Sequence, residues 1–448
     1  GGAILDSGVR FLDENPWDRL SQFYKLTKGK TVIRALLRGQ NLFAYQPYPD
    51  DLVIAFCKAA IDAGIGEMRV FDALNDERNL QTAILATRAH GARLEGALSY
   101  TTSPVHTTEY YVEYAKTLVE MGADRIAIKD MAGILYPWDA VELFQELKAA
   151  VDVPLTIHSH DTAGVGTINA IIAMVEGVDF IDCAITPFAG GSSHPPIEIL
   201  LPFAEELGIE HGLNVDAILK AQAELYTIFE ELSDLIAYHG KYYKIPVNPA
   251  DIDRSVVKEI IALVQKKDRA SLETAMNQVR TLQENLGYPP YDSRIFESQI
   301  PGGMLSNLQN QLKGMNQPDI LPEVMAEIPV VRRDVGYVPL VTPTSQIVGS
   351  QAVFNIVTGK RYSFISEEFK MILRGEFGRT PIPPNPALVK QVIGSADEVK
   401  KYRAASYLLP ILEDAEKPEF VDNEQDMLLH LLLGVNADAF LEKKKSEQ

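Results

Sequence analysis

The chain has 448 residues, 46% of them hydrophobic, which is long enough for an extensive core and more than one compact region. Its 42 basic and 61 acidic residues leave a formal net charge of −19, which argues against nucleic acid as a partner, since phosphate recognition needs clustered Lys and Arg. The longest apolar runs, such as LLHLLLGV at 428–435, fall short of a bilayer span, no signal segment opens the sequence, and two distant cysteines without a C-x-x-C pair fit a reducing, intracellular setting.

In chain order, GGAILDSG at 1–8 reads as the tail of a strand, and NPWDRLSQFYKLTKG at 15–29 as the helix that follows it. Six β-rich runs then recur about every 30 residues: 31–39, 67–75, 92–100, 124–133, 154–161 and 179–187. Amphipathic segments such as DDLVIAFCKAAIDAG and TTEYYVEYAKTLVEMG separate them, and Gly64, Gly91, Gly122 and Gly177 close four of those segments as helix stops. Repeated βα units imply a parallel sheet covered by helices. Polar residues gather at the strand C-termini and no Gly-rich dinucleotide fingerprint follows a strand, so a barrel is favoured over an open sheet. The expectation is an α/β fold: a TIM (β/α)8 barrel missing its first strand in this sequence, over 1–240, followed by a largely helical second domain over 241–440. Helices are expected over 214–236 and, as a pair, over 253–286; the stretch from Tyr242 to Ser255 reads as an irregular crossing, and FLEKKKSEQ as a frayed tail.

The chemistry concentrates at strand ends. His158 and His160 in PLTIHSHD are two apart, so on a strand they share a face and can address one ion. One strand earlier, Lys129 in IAIKDMAG stands between apolar neighbours, where a bare ammonium is costly. Two readings are open: an ion pair with Asp130 or Asp161, or a carbamylated amine that joins the histidines as a carboxylate ligand for Zn2+, Mn2+ or Co2+. Arg38 ends the first complete strand in ALLRGQN; it can grip a planar carboxylate or pair with Asp72. Asp6, Tyr45 and Ser192 are candidates for lining the same mouth.

The motifs GGAILD, RFLDENPWDRL, LLRGQN, RVFDALND, SYTTSPVHT, IKDMAG, HSHDTAG and IPGGMLSNL together resemble the carboxyltransferase component of biotin-dependent enzymes acting on pyruvate and oxaloacetate, over almost the whole chain. The resemblance implies that Lys129, carbamylated, and His158 and His160 hold a divalent metal, and that Arg38 binds the substrate carboxylate. It also implies that Asp6 and Tyr45 receive the biotin ureido group, and that Ser192, in SSHP, relays a proton where the family has threonine. His194 stands where the family has Gln and receives no role. The family's first-strand motif R-D-A-H-Q, with its metal-binding Asp, is not in this sequence, and neither is the A-M-K-M motif of a biotinyl domain; biotin is therefore expected on a separate chain or domain. By the same resemblance the protein is a homodimer in the cytoplasm, and its decarboxylase branch implies peripheral docking on a membrane decarboxylase complex. Two other readings are carried along: a metal-dependent aldolase or lyase barrel on a 2-oxo acid, which would lack the Lys129 motif, and a non-catalytic scaffold protein.

Overall fold

The computed structural model describes residues 2–27, 29–236, 242 and 246–446. Six parallel strands form one sheet in chain order: β1 (Arg34–Leu37), β2 (Glu67–Val70), β3 (Arg93–Ser99), β4 (Arg125–Asp130), β5 (Leu155–Ser159) and β6 (Phe180–Ile181). This is the strand set of a partial TIM barrel, and each run expected to be a strand contributes one. Two helices, α1 (Gly2–Leu12) and α2 (Pro16–Thr27), precede β1. Helices α3 (Asp50–Asp62), α4 (Gln81–Ala89), α5 (Thr108–Glu120), α6 (Pro137–Ala150) and α7 (Gly166–Glu176) alternate with the strands. Apolar side chains fill much of β3, β4 and β5: Leu94, Ala97, Leu98, Ile126, Ala127, Ile128 and Ile157 are all buried.

Three local readings change. Residues 2–8 are not a strand tail but part of α1, because Leu5 and Val9, one helical turn apart, are both buried on one face. The last strand is cut to two residues: Ala184 N donates to Pro195 O and Ile197 N donates to Ala184 O, so a returning loop takes the bonds a longer ladder would use. The tail is helical to Ser446, since Lys444 and Lys445 meet Asp426 at 3.0 Å and Asp422 at 2.7 Å. The boundary expected near 240 falls outside the described residues.

Two compact units divide the chain. The first comprises Gly1–Ala97, Thr117–Ile126 and Glu367–Gln448. In it β1, β2 and β3 run in register, Arg34 opposite Glu67 and Glu67 opposite Arg93. Their buried charges interlock: Arg69 pairs with Glu95, Arg34 lies 3.3 Å from Glu95, and Arg125 lies 3.3 Å from Glu67. Helices α16 (Glu367–Leu373), α17 (Pro386–Val392), α18 (Glu424–Leu433) and α19 (Val435–Ser446) complete this unit, after the helices of the second unit given next. They are tied to its start by Arg403 on Asp50, by Tyr48 Oη donating to Leu432 O at 2.9 Å, and by Asp51 accepting from the backbone of Ile411 and Leu412.

The second unit comprises Leu98–Lys116 and Ala127–Ser366. After β6 it is helical: α8 (Ile197–Glu206), α9 (Val215–Glu231), α10 (Arg254–Lys266), α11 (Arg269–Asn285), α12 (Arg294–Ser298), α13 (Gly302–Gly314), α14 (Leu321–Asp334) and α15 (Thr344–Val357). The helix expected over 214–236 is α9 with a short turn, and the pair expected over 253–286 is α10 and α11. No described helix is long and apolar enough to cross a membrane.

Candidate metal centre and neighbouring residues

The end of β5 is built to aim two imidazoles. His158 lies in the strand and His160 just beyond it, on the same face, with ring centroids 5.5 Å apart. The register of Ile157 with Ile181 sets His158 beside Asp182, whose carboxylate accepts from His158 Nδ1 at 2.7 Å. His160 Nδ1 donates to the Ser192 carbonyl at 2.6 Å. Burial, and then the neighbouring His194, push the His160 imidazole down to about 3, so it is a neutral ring at pH 7.

The loop after β6 is folded back onto β5. Asp161 N donates to Ser193 O at 2.9 Å, and Gly190 N donates to His194 O at 2.7 Å. That fold carries in His194, whose Nδ1 donates to Ser159 O at 2.9 Å; its ring centroid lies 4.4 Å from His158 and 4.8 Å from His160. One nitrogen from each of the three rings lies within 4.8 Å of the others, the one metal-competent cluster of His, Cys, Asp and Glu among the described residues. Sequence reasoning assigned nothing to His194 or Asp182. Asp182 was legible from register, since it follows the strand that must pair with β5; His194 sits in an irregular loop with no periodic signal.

Lys129 is buried at the end of β4, next to β5 in the sheet. Its Nζ lies 3.3 Å from Met131 Sδ, and its charge adds to the depression of His160. Asp130 and Asp161 also accept bonds that shape the loops around Lys129. Asp130 accepts from Ile134 N at 3.0 Å and Leu135 N at 2.9 Å, closing the turn after β4. Asp161 accepts from Thr167 N at 3.1 Å and Thr167 Oγ1 at 2.8 Å, and also from Gln283, locking α7 and α11 beneath the site.

Ser192 is exposed, and its Cβ is pressed close to Gly302 of α13: a Cβ on that glycine would come within 2.8 Å of it and 3.0 Å of Thr162. This contact gives the IPGGMLSNL motif a physical reason. Arg38, Asp6 and Tyr45 lie in the first unit. Arg38 caps the turn Gly39–Asn41 and donates through Nη1 to the Phe43 and Ala44 carbonyls, while its guanidinium stands 5.9 Å from the Tyr45 ring. Burial lowers its pKa. Tyr45 is half exposed, and Asp6, on α1, pairs with Arg10 at 3.2 Å. Asp72 is a turn acceptor: it takes bonds from Leu74 N at 2.8 Å, Asp76 N at 3.0 Å and Asn79 Nδ2 at 3.2 Å.

Residues 75–224 match the HMGL-like family and residues 295–448 the Conserved carboxylase domain family. The chain is 39% identical over 445 residues to a pyruvate carboxylase subunit of Methanocaldococcus jannaschii, covering 98% of this chain and 70% of that protein. It is 36% identical over 454 residues to the methylmalonyl-CoA carboxyltransferase 5S subunit of Propionibacterium freudenreichii subsp. shermanii, covering 99% and 79%. Among solved structures, the carboxyl transferase domain of Rhizobium etli pyruvate carboxylase with 3-hydroxypyruvate aligns with a TM-score of 0.73 at 25% identity, over 98% of this chain and 69% of that one. The chain belongs to the biotin-dependent carboxyltransferase family that includes the pyruvate carboxylase subunit of Methanocaldococcus jannaschii.

Proposed function

We propose that this carboxyltransferase moves a carboxyl group between carboxybiotin and pyruvate or oxaloacetate, on a divalent metal held by His158, His160 and a carbamylated Lys129. The observation that carries the metal reading is the pair of strand-end imidazoles with Nδ1 on oxygen acceptors, beside a buried lysine on the adjacent strand. A neutral imidazole so anchored presents its other nitrogen as a ligand, a donor chemistry that suits Zn2+, Mn2+ or Co2+. When bound, such an ion polarises the substrate's keto oxygen and favours the enolate.

The rest is assigned to the chain's own residues. Arg38 orients the substrate carboxylate through its guanidinium. Asp6 and Tyr45 receive the ureido ring of biotin. The Ser192 hydroxyl passes a proton from the pyruvate methyl to the biotin nitrogen as carbon dioxide leaves that nitrogen and bonds to the methyl carbon; the reverse run takes oxaloacetate to pyruvate. In this reading residues 1–240 supply the barrel portion and 241–440 the helical portion of the enzyme. Biotin arrives on a carrier protein or domain outside this sequence. The enzyme acts as a cytoplasmic homodimer, with peripheral docking at the inner face of a membrane if the complex is of the decarboxylase kind.

The test is oxaloacetate decarboxylation by the full chain with free biotin or a purified biotinyl carrier. Biotin-stimulated pyruvate release is expected, lost in Lys129→Ala, and lost in Ser192→Ala with the metal retained. Turnover that ignores biotin, or that survives Lys129→Ala, rejects the assignment.

A further inference from the structure

We propose that His194 is a third imidazole ligand of the same metal, so that this chain meets the ion with three neutral nitrogens, Nε2 of His158, His160 and His194. The inference rests on the reading that His158 and His160 hold a metal, and extends it to a residue that the resemblance left without a role.

The acceptors around the three rings dictate which nitrogen of each carries hydrogen. A backbone carbonyl only accepts. The Ser192 carbonyl at 2.6 Å therefore fixes the proton of a neutral His160 on Nδ1, and the Ser159 carbonyl at 2.9 Å does the same for His194. The Asp182 carboxylate at 2.7 Å fixes it on Nδ1 of His158. In all three neutral rings the lone pair then lies on Nε2. Three independent acceptors impose one tautomer on three rings whose nitrogens come within 4.8 Å of one another. This is how metal-ligating histidines are oriented, by an oxygen on the nitrogen opposite the ligand position.

The anchors are also reciprocal. Ser192 O holds His160, and Ser159, between the two strand histidines, holds His194 from the same loop as Ser192. The bonds Asp161 N to Ser193 O and Ser193 N to Gly190 O fix that loop at 2.9 Å each. Loop and strand thus exchange anchors, and the rings they hold belong to one cluster. Three imidazoles leave coordination positions for the oxygen ligands that the carboxyl-transfer reading requires.

The experiment uses the full chain stripped with chelator and titrated with Co2+ alone. Affinity is read by competition with a chromogenic chelator, and the number of imidazole nitrogens by X-ray absorption at the cobalt edge. The wild type should bind one Co2+ through three imidazoles. His194→Gln should bind through two, with affinity lowered by at least the ~10–100-fold that loss of an orienting partner costs. His158→Ala should lose the ion under the same conditions. If His158→Ala loses the ion but His194→Gln keeps wild-type affinity and imidazole number, the role of His194 is overturned and the metal reading stands. If the wild type takes up no Co2+, or His158→Ala binds as the wild type does, both fall. Should His194→Gln misfold, the wild-type spectrum decides alone, and two imidazoles there overturn the proposal.

Discussion

Each histidine of the cluster donates its Nδ1 hydrogen to an oxygen acceptor. Asp182 is the most exposed to test, because it is a side chain rather than a backbone group. Asp182→Asn offers His158 Nδ1 an amide in place of a carboxylate and weakens its hold on tautomer and orientation. Metal affinity should fall roughly 10–100-fold, read as metal retained after dialysis against a chelator, with the melting temperature little changed. An unaltered metal content would show that register alone fixes the ring. Gly302 gives a second test of position. In Gly302→Ala the new methyl would meet Ser192 Cβ at 2.8 Å, so the serine loop must shift. Biotin-dependent turnover and Co2+ affinity should both drop, since Ser192 and His194 share that loop and the Ser192 carbonyl anchors His160; full turnover would show that the loop absorbs the methyl freely. The strand histidines could be picked out of the sequence, because spacing and strand ends are local properties, whereas the residue pattern alone left Lys129 open between an ion pair and a ligand. The convergence of His194 could not, since a hairpin-like return fixed by backbone bonds leaves no periodic trace.

At the level of elements, the βα beat was readable because parallel buried strands are short apolar runs and glycines stop the helices between them. Gly177, in the left-handed conformation at the end of α7, is an instance. The charge layer across β1, β2 and β3 was not readable. Arg34, Glu67, Arg69 and Glu95 alternate with apolar residues as solvent-facing charges do, yet Glu67, Arg69 and Glu95 are buried. Only the register brings opposite signs together. Glu95→Ala would remove the buried ion pair with Arg69, at a cost of about 3–5 kcal/mol. An earlier urea midpoint is expected; an unchanged midpoint would mean that Glu67 takes over the arginine.

For the molecule as a whole, acid should act through two depressed imidazoles, His160 of the cluster and, earlier in the chain, His106. His106, buried and accompanied by the positive charge of Arg332, is pushed down to about 3, against 6.5 for an ordinary imidazole. Its folded value is the lower one, so the unfolded chain binds the extra proton. The stability it contributes is complete above about pH 6.5 and is lost as pH falls towards 3. Thermal melts across that window should show the loss, and His106→Gln should flatten the slope; an identical slope in the variant would assign the acid sensitivity elsewhere. The ties of Arg403 to Asp50 and of Leu432 to Tyr48 have another consequence. They join positions separated by more than three quarters of the polypeptide, and closing them demands a large loop entropy. During synthesis residues 1–97 must wait for residues 367–448 to emerge from the ribosome before their own packing is complete. Nascent chains halted before residue 367 should therefore leave that early segment open to protease, even where the middle of the protein is already resistant.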